Sequence, residues 1–89
     1  MSFVNIGYGN IINSDRIVAM VSPDSAPSKR LLQNSREQGK VVDASQGRKT
    51  RTFIVTDTGY LVLSALQPDT IAARIKYPSE SFNRGEDDE

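Results

Sequence analysis

The residues of this 89-residue chain best suited to chemistry form a short basic turn at positions 46–51. Three cations, Arg48, Lys49 and Arg51, follow Gly47 within four positions. Glycine adopts backbone angles that other residues resist, and an apolar core excludes charges this close together. The turn is therefore predicted to face solvent or a polyanion. Phosphates fit best, because arginine and lysine pair with the nucleic-acid backbone and release its counterions.

Other chemistries match the composition poorly. The chain has no cysteine and no histidine, which removes disulfides, thiolate ligands, the commonest zinc ligand and the usual general base near neutral pH. A catalytic arrangement would have to use Asp15, Asp24, Asp43 or Asp57, and none has a recognisable spacing to a lysine. We therefore expect no enzyme activity, metal site, cofactor or small-molecule substrate.

The equal numbers of 11 basic and 11 acidic residues conceal a strong asymmetry. Residues 29–51 hold seven cations against two anions, whereas residues 52–89 hold three cations against seven anions. A basic middle and an acidic end indicate a directed electrostatic surface. No apolar run is long enough to cross a bilayer, and no signal-peptide pattern is present, so we expect a cytoplasmic protein with no membrane partner.

Short strands must position the basic turn. Residues 16–21 and 52–56 are rich in β-branched side chains, and residues 60–66 complete a hairpin with the second of these runs. Residues 3–5 and 41–43 add shorter extended stretches. The main strands are apolar on both faces, so something must cover the second face. Self-association into a homo-oligomer is the simplest interpretation.

Two helices are predicted. The first covers residues 27–38, with Pro27 in its first turn, a cap at Ser25 or Ala26 and a stop at Gly39. The second covers residues 68–76. Together with the strands they predict a small, strand-rich α+β domain of about four to five strands. Residues 1–77 would form this single domain, and residues 78–89 a disordered acidic tail.

Cations outside the turn leave two alternatives open. Lys29 and Arg36 follow helical spacing and form a ridge, which is either a solvated helix face or part of a binding surface. Arg16 begins an apolar strand, where it would either pair with Asp15 or Asp24 or face an anion.

Residues 5–75 resemble the RemA family of bacterial regulatory proteins. The signatures NIGYGN, VSPDSAP, VDASQGRKTR and LSALQPDT occur in that order. The resemblance implies a DNA-binding transcriptional activator of biofilm and extracellular matrix genes, associated with the nucleoid. It also implies a fold related to LytTR-type DNA-binding domains and a ring-like homo-oligomer around which double-stranded DNA can wrap.

The resemblance further implies residue roles. The family's DNA-binding arginine before the second strand falls on Arg16, and its functionally sensitive proline falls on Pro27. Its basic pair falls on Arg48 and Lys49; the pair is commonly two arginines, and lysine keeps the charge without the planar fork. Taken with the cations that charge and spacing single out, the predicted DNA-binding residues are Arg16, Lys29, Arg36, Arg48, Lys49 and Arg51. Pro27 and Gly47 are predicted to have structural or functional roles.

Two other interpretations stay open. An oligomeric scaffold could use the same basic face to bind an acidic protein. RNA is a further candidate, but readers of single strands usually expose aromatic side chains for stacking. Tyr8, Phe53 and Tyr60 occupy turn or strand positions that favour core packing.

Overall fold

The computed structural model describes residues 2–77. Within this range the chain forms six strands and two α-helices, against the four to five strands expected. In chain order they are β1 (Phe3–Gly7), β2 (Asn10–Asn13), β3 (Ile17–Val21), α1 (Ala26–Glu37), β4 (Val41–Asp43), β5 (Thr52–Thr56), β6 (Leu61–Ser64) and α2 (Pro68–Lys76). A 3-10 turn, Ser14–Arg16, precedes β3.

Four strands form the central sheet in the order β3-β5-β6-β4, and β1 and β2 form a separate hairpin. β5 is antiparallel to both β3 and β6, whereas β4 is parallel to β6. The carboxyl ends of β3, β4 and β6 therefore meet the amino end of β5 at one end of the sheet. We call this end the loop end; it holds the basic turn at residues 46–51. We call the opposite end the turn end; it holds the short turn at residues 57–60.

Both faces of the central sheet are covered within the chain. On one face Phe53, Leu61 and Leu63 pack against Leu31 and Leu32 of α1. On the other face Ile54 and Val62 form a second cluster with residues of the β1–β2 hairpin and α2, namely Val4, Ile6 and Ile71. The cover that the sequence required for the second face is thus supplied within the chain, by the hairpin and α2. Self-association itself stays a prediction.

The helices begin and end close to their predicted positions. The Ser25 side chain accepts a hydrogen bond from the Ser28 amide at 3.1 Å, so α1 starts at Ala26, and Pro27 lies exposed in its first turn. Gly39 has a φ of 70°, as a glycine just beyond a helix should, and α1 ends at Glu37. The bounds of α2 agree with the predicted 68–76.

Two local features differ from the expectation. The strand β2 was missed because its four residues, NIIN, have polar ends and no alternating pattern. Arg16 belongs to the 3-10 turn rather than to β3. The Asn13 side chain accepts a hydrogen bond from the Asp15 amide at 3.0 Å, which draws the backbone out of the extended conformation before β3 begins.

Two further observations concern the described part of the chain. Neither of its helices is long and apolar enough to cross a membrane. Residues 2–77 also hold no group of three or more acidic, histidine or cysteine side chains that could bind a metal ion. The predicted acidic tail, residues 78–89, lies outside the described residues.

Candidate nucleic-acid interface

The basic turn connects β4 to β5, and hydrogen bonds hold its backbone. The Asp43 carboxylate accepts hydrogen bonds from the Ser45 hydroxyl at 2.6 Å and the Ser45 amide at 2.9 Å. The bond from the Ser45 hydroxyl, followed by the bond from the Ser45 amide, lowers the pKa of Asp43 below its ordinary value. Two smaller effects oppose each other, because burial raises this pKa and the charge of Arg36 lowers it. The Arg48 amide then donates to the Ser45 carbonyl at 3.0 Å. Asp43 is thus the anchor of the turn.

Two consecutive residues of the turn have a positive φ, Gln46 at 57° and Gly47 at 77°. A Cβ added at Gly47 would have no atom within 4 Å, so the position has room for a side chain. Glycine is suited to it because it adopts a positive φ without strain. The prediction that Gly47 supplies an unusual backbone angle is confirmed. The bend exposes Arg48 and Lys49 immediately after it.

The turn of the β1–β2 hairpin supports the basic turn from the side. The Arg48 guanidinium lies 4.6 Å from the centre of the Tyr8 ring, a cation–π distance. The Asn10 side-chain amide donates to the Ala44 carbonyl at 3.2 Å and to the Gly7 carbonyl at 3.0 Å. The sequence links no residue of this hairpin turn to the basic turn. In the structure the hairpin turn orders the loop that carries the cations.

A cleft of about 200 Å³ lies beside the basic turn at the loop end. Lys49 and Arg51 line it together with Asp24 from the β3–α1 connection and Gln67 and Pro68 at the start of α2. Lys49 and Arg51 are exposed, and no carboxylate within residues 2–77 forms an ion pair with either. Three connections thus converge on a positively charged surface, which we call the basic surface (Arg48, Lys49 and Arg51).

The predicted residues of α1 are exposed. Pro27 and Lys29 lie in the first turns of the helix, which follows directly from the loop end. Arg36 lies in its last turn, close enough to Asp43 to affect the pKa of that carboxyl.

Arg16 lies apart from the basic surface, at the turn end. Its guanidinium is 3.1 Å from an oxygen of Asp57, and both side chains are about half exposed. Ile17 pairs with Thr56, whereas the basic turn joins β5 at Thr52, so the two sites are separated by about 13 Å of strand. Within one chain the structure does not bring Arg16 together with Arg48, Lys49 and Arg51.

Sequence reasoning missed one cation and misjudged one aromatic residue. Arg74 of α2 lines a second cleft, of about 400 Å³, together with Arg51. Its guanidinium also donates to the Asn5 carbonyl at 3.2 Å. Phe53 is buried as expected, but Tyr60 is 43% exposed, so its expected core packing is wrong. No sequence signal links Arg74 to a turn more than 20 residues earlier; only the folded chain brings Arg74 and Arg51 to the same cleft.

The fold and site define a small α+β domain that displays an ordered basic loop. Comparison with known proteins identifies its family. The sequence model of the RemA-like family, described as extracellular matrix regulatory protein A-like, matches residues 3–75. The chain belongs to this family, which confirms the resemblance found in the sequence.

Relatives from several bacteria support the assignment. A protein of Geobacillus thermodenitrificans is 53% identical over 83 residues, which is 93% of this chain and 94% of the relative. One from Caldicellulosiruptor saccharolyticus is 50% identical, covering 92% of this chain and 81% of its own length. One from Clostridium botulinum is 47% identical over 98% of both chains. All three are named provisionally as regulatory proteins, which supports a regulatory role.

Proposed function

We propose that the chain is a DNA-binding transcription regulator that grips the phosphate backbone of duplex DNA with its basic surface. The observation that carries this proposal is that Arg48, Lys49 and Arg51 are all exposed on a loop whose backbone is held by hydrogen bonds. An ordered loop loses less conformational entropy on binding than a mobile one. The family's regulatory naming supports the same role.

The charges of the basic surface suit phosphates. Arg48 stacks on Tyr8, which leaves the in-plane N–H groups of its guanidinium able to donate to an anion. Lys49 and Arg51 have no carboxylate partner within residues 2–77. Each would pair with a phosphate without first breaking an intramolecular ion pair. A short loop reads few base edges, so we expect selectivity to come mainly from DNA shape and bendability.

Assembly into a ring-like homo-oligomer is part of the proposal. Repetition of the same three cations would give avidity that one copy lacks. The edge strands β3 and β4 expose Val18 and Val42, apolar side chains that contacts between copies could bury. The relation to LytTR-type domains, control of matrix genes and a place on the nucleoid in the cytoplasm belong to the same proposal. So does the absence of enzyme activity.

Fluorescence anisotropy of a labelled duplex, titrated over a salt series, tests the proposal. For the wild type we expect affinity to fall steeply with salt. Arg48→Ala with Lys49→Ala should bind much more weakly, with a log–log salt slope shallower by about 1.8 per chain engaged. Lys76→Ala, an exposed cation at the far end of α2, is the matched control and should bind as the wild type does.

The same assay separates the alternatives. Light scattering should give one mass for all three proteins, so that a loss of binding reports the contact and not a loss of assembly. Preference for single-stranded RNA over the duplex would favour the RNA interpretation. Absence of duplex binding at low salt would reject the proposal and leave the acidic-protein scaffold. Equal affinity of wild type and double variant would reject the basic surface as the DNA site.

A further inference from the structure

We propose that the acidic residues 86–89 of the same chain occupy the basic surface and compete with DNA for it. The sequence there is Glu86, Asp87, Asp88 and Glu89. The competition rests on the proposed function, because DNA is the competitor. The contact itself does not, because it needs only the cations of the loop end.

Charge is divided unevenly along the chain. Residues 2–77 carry ten cations against six anions, whereas residues 78–89 carry one cation against five anions. The protein is formally neutral only because the second part balances the first. An intramolecular partner for the surplus positive charge therefore exists in the sequence, and it is concentrated in four consecutive acidic residues.

Two of the carboxylates in residues 2–77 are engaged with partners other than Arg48, Lys49 and Arg51. Asp57 pairs with Arg16 at the turn end, and Asp43 accepts hydrogen bonds from Ser45. Asp24 lines the cleft beside Lys49 and Arg51 but forms no ion pair with them. The basic surface thus lacks a carboxylate partner from this part of the chain.

The acidic residues can reach the basic surface. Tyr77 follows the last residue of α2, and α2 begins at Pro68 beside the cleft that Lys49 and Arg51 line. The length of α2 is about 13 Å at 1.5 Å per residue. Eight residues lie between Tyr77 and Glu86. The nine residue steps from one to the other reach at most about 30 Å in a fully extended chain.

The proposed contact is weak per ion pair and effective through tethering. Exposed pairs contribute little individually and are screened by salt. A short tether, however, holds the acidic residues at an effective concentration in the millimolar range. DNA offers a denser and longer array of anions, so it would displace them. The acidic segment would therefore raise the threshold for binding and select against weakly bound, non-specific sequences.

Carbodiimide crosslinking of the full-length protein followed by mass spectrometry tests the contact without DNA. The reagent joins a lysine amine to a carboxylate only when the two touch. For each lysine, the yield of its crosslink to residues 86–89 is divided by the yield of the same crosslink in denaturing urea. We expect this normalised yield to be higher for Lys49 than for Lys40, a lysine at the turn end. Lys49→Arg keeps the charge and should abolish that crosslink alone. Equal normalised yields at Lys49 and Lys40 would overturn the proposal.

A mixture of isotopically light and heavy protein identifies the source of the acidic segment. The light and heavy proteins are unfolded and refolded together, so that any assembly contains both labels. Crosslinks without light–heavy products support the intramolecular contact. Light–heavy crosslinks in the statistical proportion of random pairing would overturn it and assign the segment to a neighbouring copy.

DNA binding tests the competition. Neutralising the segment in the full chain, with Glu86→Gln, Asp87→Asn, Asp88→Asn and Glu89→Gln, should tighten duplex binding on the order of three- to tenfold at low salt. The gain should shrink as salt rises. Equal affinities would overturn the competition even where the crosslink is found. If neither protein binds DNA, the proposed function fails and the competition with it, whereas the crosslink still decides the contact.

Discussion

The two ends of the central sheet both carry exposed cations, but they differ in whether those cations have partners. At the turn end Arg16 pairs with Asp57, and the Lys40 amine lies 5.9 Å from the centre of the Tyr60 ring. At the loop end Lys49 and Arg51 have no carboxylate partner within residues 2–77. An exposed cation is most available to a phosphate where no intramolecular anion must be displaced. We therefore expect the loop end to contribute more than Arg16 to the proposed DNA binding.

Single arginine substitutions at the two ends test this ranking and should give the largest difference. Arg51→Ala is expected to weaken duplex binding on the order of tenfold and to reduce the salt slope by about one. Arg16→Ala should cost less, because DNA must first break the ion pair with Asp57. Anisotropy titrations of both variants at two salt concentrations measure the difference.

Releasing Arg16 from its partner sharpens the same comparison. Asp57→Asn removes the carboxylate charge, so Arg16 should become available and DNA binding should tighten several-fold. Adding Arg16→Ala to Asp57→Asn should cancel that gain. A gain that persists in the double variant would show that Asp57 acts through its own charge and not through Arg16.

Alanine substitutions at two glycines with similar φ values distinguish an effect on stability from an effect on DNA binding. Gly47 at the loop end and Gly39 after α1 have φ values of 77° and 70°, and neither has an atom within 4 Å of a would-be Cβ. Alanine at either position should lower the free energy of unfolding by about 1 kcal/mol, because it disfavours a positive φ. Only Gly47→Ala should also weaken DNA binding, since it disturbs the turn that presents Arg48. Urea unfolding and anisotropy measure the two effects; equal losses of binding would contradict the role of the turn.

The Tyr8–Arg48 contact should have a smaller effect. Tyr8→Leu removes the ring under the guanidinium, which stabilises an exposed pair by about 0.5–1 kcal/mol. We expect a loss of DNA affinity of a few fold, because Arg48 becomes less ordered. Tyr8→Phe keeps the ring and is the matched control. Similar affinities of the Leu and Phe variants would show that the ring does not position Arg48.

The smallest effect concerns Asp43 and pH. The folded state lowers the pKa of Asp43, so its hydrogen bonds to Ser45 contribute stability above the unfolded pKa, and that contribution is lost as pH falls through the folded value. At neutral pH Asp43→Ala should therefore unfold at lower urea than the wild type. The difference should narrow below about pH 4. A difference independent of pH would show that the charge of Asp43 does not anchor the turn.

Features that depend on neighbouring residues were predictable from the sequence. Pro27 and Ser25 located the start of α1 to within one residue, and Pro68 located α2, because helix starts depend on local backbone geometry and amides. Gly47 and its neighbouring charges predicted an exposed turn for similarly local reasons. The β5–β6 hairpin followed from two apolar runs around a short turn.

Contacts between residues distant in sequence were decided only by tertiary structure. Tyr8 meets Arg48 forty positions later because the β1–β2 hairpin packs on the central sheet. Arg16 meets Asp57 because β3 pairs with β5. The hairpin and α2 cover the second apolar face of the sheet, for which the sequence required a cover without identifying it. Local propensity carries no information on such pairings, since they depend on which strands neighbour one another and how their side chains pack. The sequence alone therefore identified the basic turn, whereas the fold determined which of its cations are supported and which lack a carboxylate partner.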